Sequence, residues 1–178
     1  KIAFASPAFD DRNDTATTVY ASAATGAVTL NASAAVFTAA MVGEAFYLAE
    51  KDVRSTKLWE AGKSITTGDL RRSDGKNYQA LNTATTGGGK PTHRSGAVFD
   101  GDTGVQWQFL DPGYGYVTIT GYTSATQVSA TVVSRLPDNA VGAGNPTTRW
   151  AKQAWSAASG YPSCVTFFRE RAVWARGV

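Results

Sequence analysis

YVTITGYTSATQVSATVV, running from Tyr116 to Val133, is the stretch that decides the fold. Val117-Thr118-Ile119-Thr120 alternates β-branched residues up to Gly121, and Gln127-Val128-Ser129-Ala130-Thr131-Val132-Val133 resumes the pattern. Alternation on both sides of a turn implies an antiparallel hairpin with one buried face and one wet face. A lone hairpin is marginal in water, so further strands must cover it. The candidates upstream are Val28-Thr29-Leu30, between Gly26 and Asn31, and Ala45-Phe46-Tyr47-Leu48, after Gly43. Both are strand-sized and bounded by turn formers. Ser33 to Met41 between them has the spacing of one or two helical turns, with Phe37 and Met41 on one face.

Pairing those strands with Tyr116–Val133 skips residues 52–114, whose character is different. There Trp59, Tyr78 and Trp107 are spaced among turn formers such as Gly68-Asp69, Asp74-Gly75, Gly87-Gly88-Gly89 and Asp100-Gly101, with few other apolar residues. The expected architecture is therefore all-β: a small β-barrel from residues 19–51 and 115–136, interrupted by a small inserted β-module at 52–114. Residues 1–18 read as an irregular lead-in and 137–146 as a linker. Residues 147–178 read as the opening strands of a further β-rich domain. The ends of the insert must then lie close together, as insertion sites do.

Composition narrows the function classes. Of 178 residues, 17 are basic and 14 acidic, a net +3 spread along the chain without a like-charge block, which argues against a nucleic-acid face. No apolar run approaches the ~20 residues of a membrane span. The single cysteine, Cys164, excludes an intrachain disulfide. Lys1-Ile2-Ala3-Phe4 shows neither an initiator Met nor a signal pattern, so the chain reads as a piece of something longer.

No catalytic residue, metal ligand set or cofactor is nominated. The only histidine, His93, lies in a Gly/Pro-bounded loop without a nucleophile elbow and reads as an exposed loop residue. Asp100 and Asp102 flank Gly101 as turn formers first, whether weighed as a glycosidase pair or as calcium ligands. Gly87-Gly88-Gly89-Lys90 is followed by Pro91, which removes a donor that a phosphate loop needs. One histidine and one cysteine do not make a structural zinc site.

The aromatics are the contest. Trp59, Tyr78 and Trp107 either form a stacking face for sugar rings or are the core of the module, and so small a unit has little else to bury. Tyr114 and Tyr116, flanking Gly115 at the exit, are the better surface candidates for a glycan. Trp150, Trp155, Phe168 and Trp174 are candidates for an interface with neighbouring subunits, with ordinary intramolecular packing as the alternative.

Two resemblances rest on these residues. Trp59, Gly68-Asp69, Gly75-Lys76, Tyr78-Gln79-Ala80, Pro91 and Trp107 resemble the small chitin- and carbohydrate-binding modules of secreted hydrolases. Leu136-Pro137, Thr147-Thr148-Arg149-Trp150, Ala154-Trp155-Ser156, Gly160-Tyr161-Pro162-Ser163, Val165-Thr166-Phe167 and Arg169-Glu170-Arg171 are similar to a stretch in the nozzle, stabilisation and tubular tail proteins of tailed phages. Ala172 departs from the Leu that relatives tend to carry there. The second resemblance implies a structural virion protein that assembles with other tail subunits and forms homo-oligomers at full length. The first adds attachment to a polysaccharide as the alternative role.

Overall fold

The computed structural model describes residues 9, 16–51, 56–102, 104–157, 160–168 and 171–175, with 167–168 and 171–175 as backbone only. The upstream strands are β1 (Val19–Ala21), β2 (Ala27–Ala32) and β3 (Ala45–Ala49). Six short strands follow: β4 (Ser64–Ile65), β5 (Leu70–Ser73), β6 (Lys76–Ala80), β7 (Ala84–Thr85), β8 (Ala97–Phe99) and β9 (Gln106–Asp111). The chain continues through β10 (Tyr114–Ser124), β11 (Gln127–Ser134), β12 (Trp150–Lys152), β13 (Cys164–Phe168) and β14 (Arg171–Ala175). The fold is all-β, with no α-helix among the described residues and a curled, half-barrel principal sheet. No helix there is long and apolar enough to cross a membrane.

The principal sheet runs β1-β2-β11-β10-β3-β12. β10 and β11 form the central hairpin, and their inward residues Val117, Ile119, Val128 and Ala130 are all buried. Leu30 and Val28 of β2 and Phe46 and Leu48 of β3 pack into the same core. β3 lies antiparallel to β10 with Ala49 opposite Tyr114 and Ala45 opposite Thr118. The chain thus leaves the sheet and re-enters it at neighbouring positions, and residues 56–111 make a separate β-structure between them. That structure is a four-stranded sheet, β5-β6-β9-β8, and a small β4-β7 pair. Asp74 (φ 48°) and Gly75 (φ 71°) form the two-residue turn of the β5–β6 hairpin, both in the left-handed region such turns require.

Three expectations change. The sequence pattern places Ser33–Met41 in helical turns, yet only Ala39–Met41 is helical, as a single 3-10 turn. Val36 and Phe37 instead donate their backbone N–H groups to the Ala125 carbonyl, which carries Phe37 into the core from an irregular segment. The composition change after Pro146 suggests a new domain, but β12 is hydrogen-bonded to β3, with Trp150 opposite Leu48. Trp150 is consequently a core residue, stacked on Phe46 at 5.6 Å with its indole N–H donated to the Thr17 carbonyl at 2.8 Å. Nor is 137–146 a free linker: Leu136 and Ala140 are buried in the same core, and Gly142 N–H is donated to the Ala21 carbonyl. Thr147, fully buried, exchanges both backbone hydrogen bonds with Val19, at 2.8 and 2.9 Å, so the segment feeding β12 is tied back to β1 at the opposite end of the sheet.

One glycine is demanded by this curvature. A Cβ on Gly115 would stand 2.2 Å from the Arg135 carbonyl oxygen, whereas one on Gly121 meets nothing closer than 3.7 Å. Gly115→Ala should therefore destabilise the chain by about 3 kcal/mol or more through overpacking against backbone, and Gly121→Ala by well under that. Urea denaturation of the two variants checks the contrast.

Candidate functional site

Within the module, Asp100 is the organising group. It is 2% exposed, and its carboxylate accepts four N–H donors. Oδ1 takes the backbone N–H groups of Gly87 (2.9 Å) and Val105 (2.8 Å). Oδ2 takes the indole N–H groups of Trp59 (3.1 Å) and Trp107 (2.8 Å). A buried carboxylate is tolerable only with such donors around it. Gly87 and Gly104 are glycines for the same reason, since a Cβ on either would strike the Asp100 carbonyl or carboxylate. The residue that reads as a turn former is thus the post on which both tryptophans hang.

This settles where the module's aromatics go. Trp107 and Tyr78 are fully buried and form the small core with Ile65, Ala80 and Val105, with Trp59 packed against it. Neither Tyr78 nor Trp107 presents an open stacking platform, and Trp59 is partly buried. Tyr78 donates its hydroxyl to the His93 carbonyl at 2.7 Å, and burial pushes its pKa up to about 12. His93 is also less exposed than a loop histidine would be: its ring packs on Tyr78 at 5.0 Å. Its Nε2 lies 3.0 Å from the Trp107 carbonyl, an arrangement in which that nitrogen must be the donor. Among the described residues no group of three or more His, Cys, Asp and Glu side chains is placed to hold a metal.

With the aromatics turned inward, the module's four-stranded sheet shows an outer face of a different kind. The register places Leu70, Gln79, Gln108 and Ala97 in one cross-strand row. The adjacent row is Leu81, Gln106 and Phe99, joined by the Leu81 N–H donated to the Gln106 carbonyl. Leu81 is 44% and Phe99 54% exposed, and no member of either row is charged. Val98, on the edge strand β8, is half exposed as well. Charge depletion with accessible aromatic and aliphatic groups is the composition of an interface centre. The sequence reading missed this face, although the period-2 placement of Gln79, Gln106 and Gln108 opposite Tyr78 and Trp107 carried it.

The framework has its own aromatic row. Tyr47, Tyr114 and Tyr116 share the outer face of β3 and β10, with Tyr47 and Tyr114 5.4 Å apart and Phe9 resting 5.3 Å from Tyr47 and 5.9 Å from Tyr116. Tyr114 is 45% exposed; Tyr116 is partly covered. Burial raises the pKa of Tyr47, which Arg149 partly offsets. Of the other nominated residues, Trp155 is partly buried beside Gln153, which donates to its carbonyl. Phe168 and Trp174 lie on the paired strands β13 and β14, and their side chains fall outside the described residues.

Where module meets framework, charges are buried in pairs. Glu50, 1% exposed, bonds Arg72 at 3.3 Å and accepts from Asn77 at 3.4 Å. Asp111 accepts from Asn77 (2.8 Å), from Gly113 N–H (2.9 Å) and from Arg135 (2.8 Å). Burial raises the Asp111 pKa, and the donors of Asn77, Gly113 and Arg135 reduce that rise without cancelling it.

No protein-family model and no curated protein matches the chain.

Two predictions follow from these geometries. Asp100→Asn places an amide NH2 against N–H donors and should cost about 2–4 kcal/mol, read by urea denaturation with tryptophan fluorescence. Carboxyl NMR titration should put the Asp111 midpoint above 3.8, and that of Asp74, bonded to Lys90 at the surface, below it. The folded chain then binds the Asp111 proton more tightly than the unfolded chain does. That residue's contribution becomes more favourable as pH falls through the window above 3.8, whereas the stabilising contribution of Asp74 is lost as pH falls below 3.8.

Proposed function

We propose that this chain is a structural, interaction-bearing part of a tail protein of the tailed-phage type, residing in the virion and assembling with other tail subunits. The observation that carries the reading is the pair of uncharged rows on the outer face of the module sheet, where the exposed Leu81 and Phe99 flank the partly covered Gln106. Burying that face against a neighbour removes apolar surface from water at no cost in charge desolvation, which is how long-lived assemblies gain their stability. The resemblance of residues 136–171 to nozzle, stabilisation and tubular tail proteins supplies the context. The β13–β14 hairpin adds to it: among the described residues it pairs only with itself, and Tyr161 and Val165 are exposed. A hairpin of that kind gains from a covering neighbour.

Attachment to a polysaccharide is the second reading. Its support is the Tyr47–Tyr114–Tyr116 row on the framework, because Tyr78 and Trp107 are buried in the module core and Trp59 packs against it.

The assembly reading is tested on the full-length protein by light scattering coupled to size exclusion. The expected result is a homo-oligomer whose mass drops at least partly to the protomer in Leu81→Lys/Phe99→Glu, with tryptophan fluorescence unchanged. An unchanged mass in that folded variant, and undiminished binding to tail subunits, would remove the module face from the interface.

A further inference from the structure

A second uncharged surface lies on the framework, away from the module. Tyr20 on β1 is opposite Asn31 on β2, and Asn31 is opposite Gln127 on β11, so three outward side chains stand in one row across three strands. Successive strands are about 4.8 Å apart, which gives the row a span of roughly 10 Å. The row floors a groove of about 380 Å³. Thr18, Ser33 and Thr126 contribute hydroxyls around it, and Ala143 and Pro146 stand along one side. That side is held in place at both ends. Gly142 N–H is donated to the Ala21 carbonyl at 2.8 Å, and Thr147 exchanges its two backbone bonds with Val19. The groove is therefore built before any ligand arrives, which spares a ligand the cost of ordering it.

Its chemistry is specific. Among the described residues no charged side chain lines it. Gln127 Nε2 donates to Asn31 Oδ1 at 2.8 Å, which orients both amides. Each amide carries two donors and an acceptor, so the Asn31 NH2 and the Gln127 carbonyl oxygen remain to be used. No partner for either occurs among the described residues. Exchanging O and N in both amides would leave the same pair of functions, one donor and one acceptor side by side. A donor and an acceptor separated by a strand spacing, bordered by hydroxyls and a tyrosine ring, complement adjacent hydroxyls on a sugar with an apolar ring face. An anionic ligand would find no cation among the described lining residues, and an apolar one would strand the amides.

We propose that the groove floored by Tyr20, Asn31 and Gln127 is a binding site for a neutral saccharide. It is independent of the assembly face on the module, from which it differs in strands and residues. The proposal therefore stands or falls apart from the oligomerisation result.

The test is NMR titration of the isotope-labelled chain with cellotetraose, maltotetraose and chitotetraose, with trigalacturonate as the acidic comparison and an uncharged Gly/Ser peptide as the polypeptide one. At least one neutral tetrasaccharide should shift the side-chain amide signals of Asn31 and Gln127 saturably, leaving the Trp107 indole signal in place. Gln127→Ala and Tyr20→Leu should each weaken that binding at least tenfold. Asn31→Asp, which keeps size and exchanges donor for acceptor, should do the same should either of the others unfold. The proposal is overturned by no response to any of the three neutral sugars at millimolar concentration. It is overturned equally by shifts confined to the Tyr114 or Phe99 faces, or by an equal response to trigalacturonate or the peptide.

Discussion

The pairing of β3 with β10 is the constraint on which the rest of this molecule depends. Ala49 opposite Tyr114 brings the two ends of a long excursion together, and the Glu50 N–H donated to the Gly113 carbonyl extends that contact by one more bond. Closing a long loop is costly mainly once, since the entropy grows only with the logarithm of its length. The framework meets that cost with its own core, so the module between the ends is free to vary in size. The salt-bridged seam at Glu50, Arg72, Asp111 and Arg135 then fixes how the module leaves the sheet. Charges removed from water at such a seam need their partners: deleting one of them is far more damaging than the net worth of the pair.

The module itself solves the problem of a small unit with little apolar material. Two tryptophans, a tyrosine and three smaller residues supply most of its core. The rings must also place their polar atoms, and Asp100 does so for both indoles while tying Gly87 and Val105 to the same point. A carboxylate used in this way is a structural device with no free lone pair left for chemistry. It explains why the aromatic pattern that resembles a sugar-binding module is turned inward.

Each unit carries one uncharged outward patch among its exposed charges. Glutamines with Leu81 and Phe99 cover the module sheet, and Tyr20, Asn31 and Gln127 cross the far end of the framework. These two surfaces ask for different partners. The first offers flat apolar contact, and the second offers unsatisfied amides in a held groove.

The sequence by itself determined the β class, the central hairpin and the interruption, because those are written in local signals: alternation in Tyr116–Val133, turn pairs such as Asp74-Gly75, and the change of composition between residues 52 and 114. It left open whether Trp150 packs within the chain or against a neighbour. A three-residue strand has no readable period, and its partner Leu48 lies about a hundred residues earlier. It could not disclose the role of Asp100 either. Asp-Gly is a turn signal at short range, while one of the indoles it holds arrives from 41 residues away. The Tyr20–Asn31–Gln127 row exists only through the register of three strands, with 96 residues separating its two amides. Alternation along a strand sets which side chains share a face, but only pairing between strands sets which of them become neighbours, and that was decided by the tertiary structure.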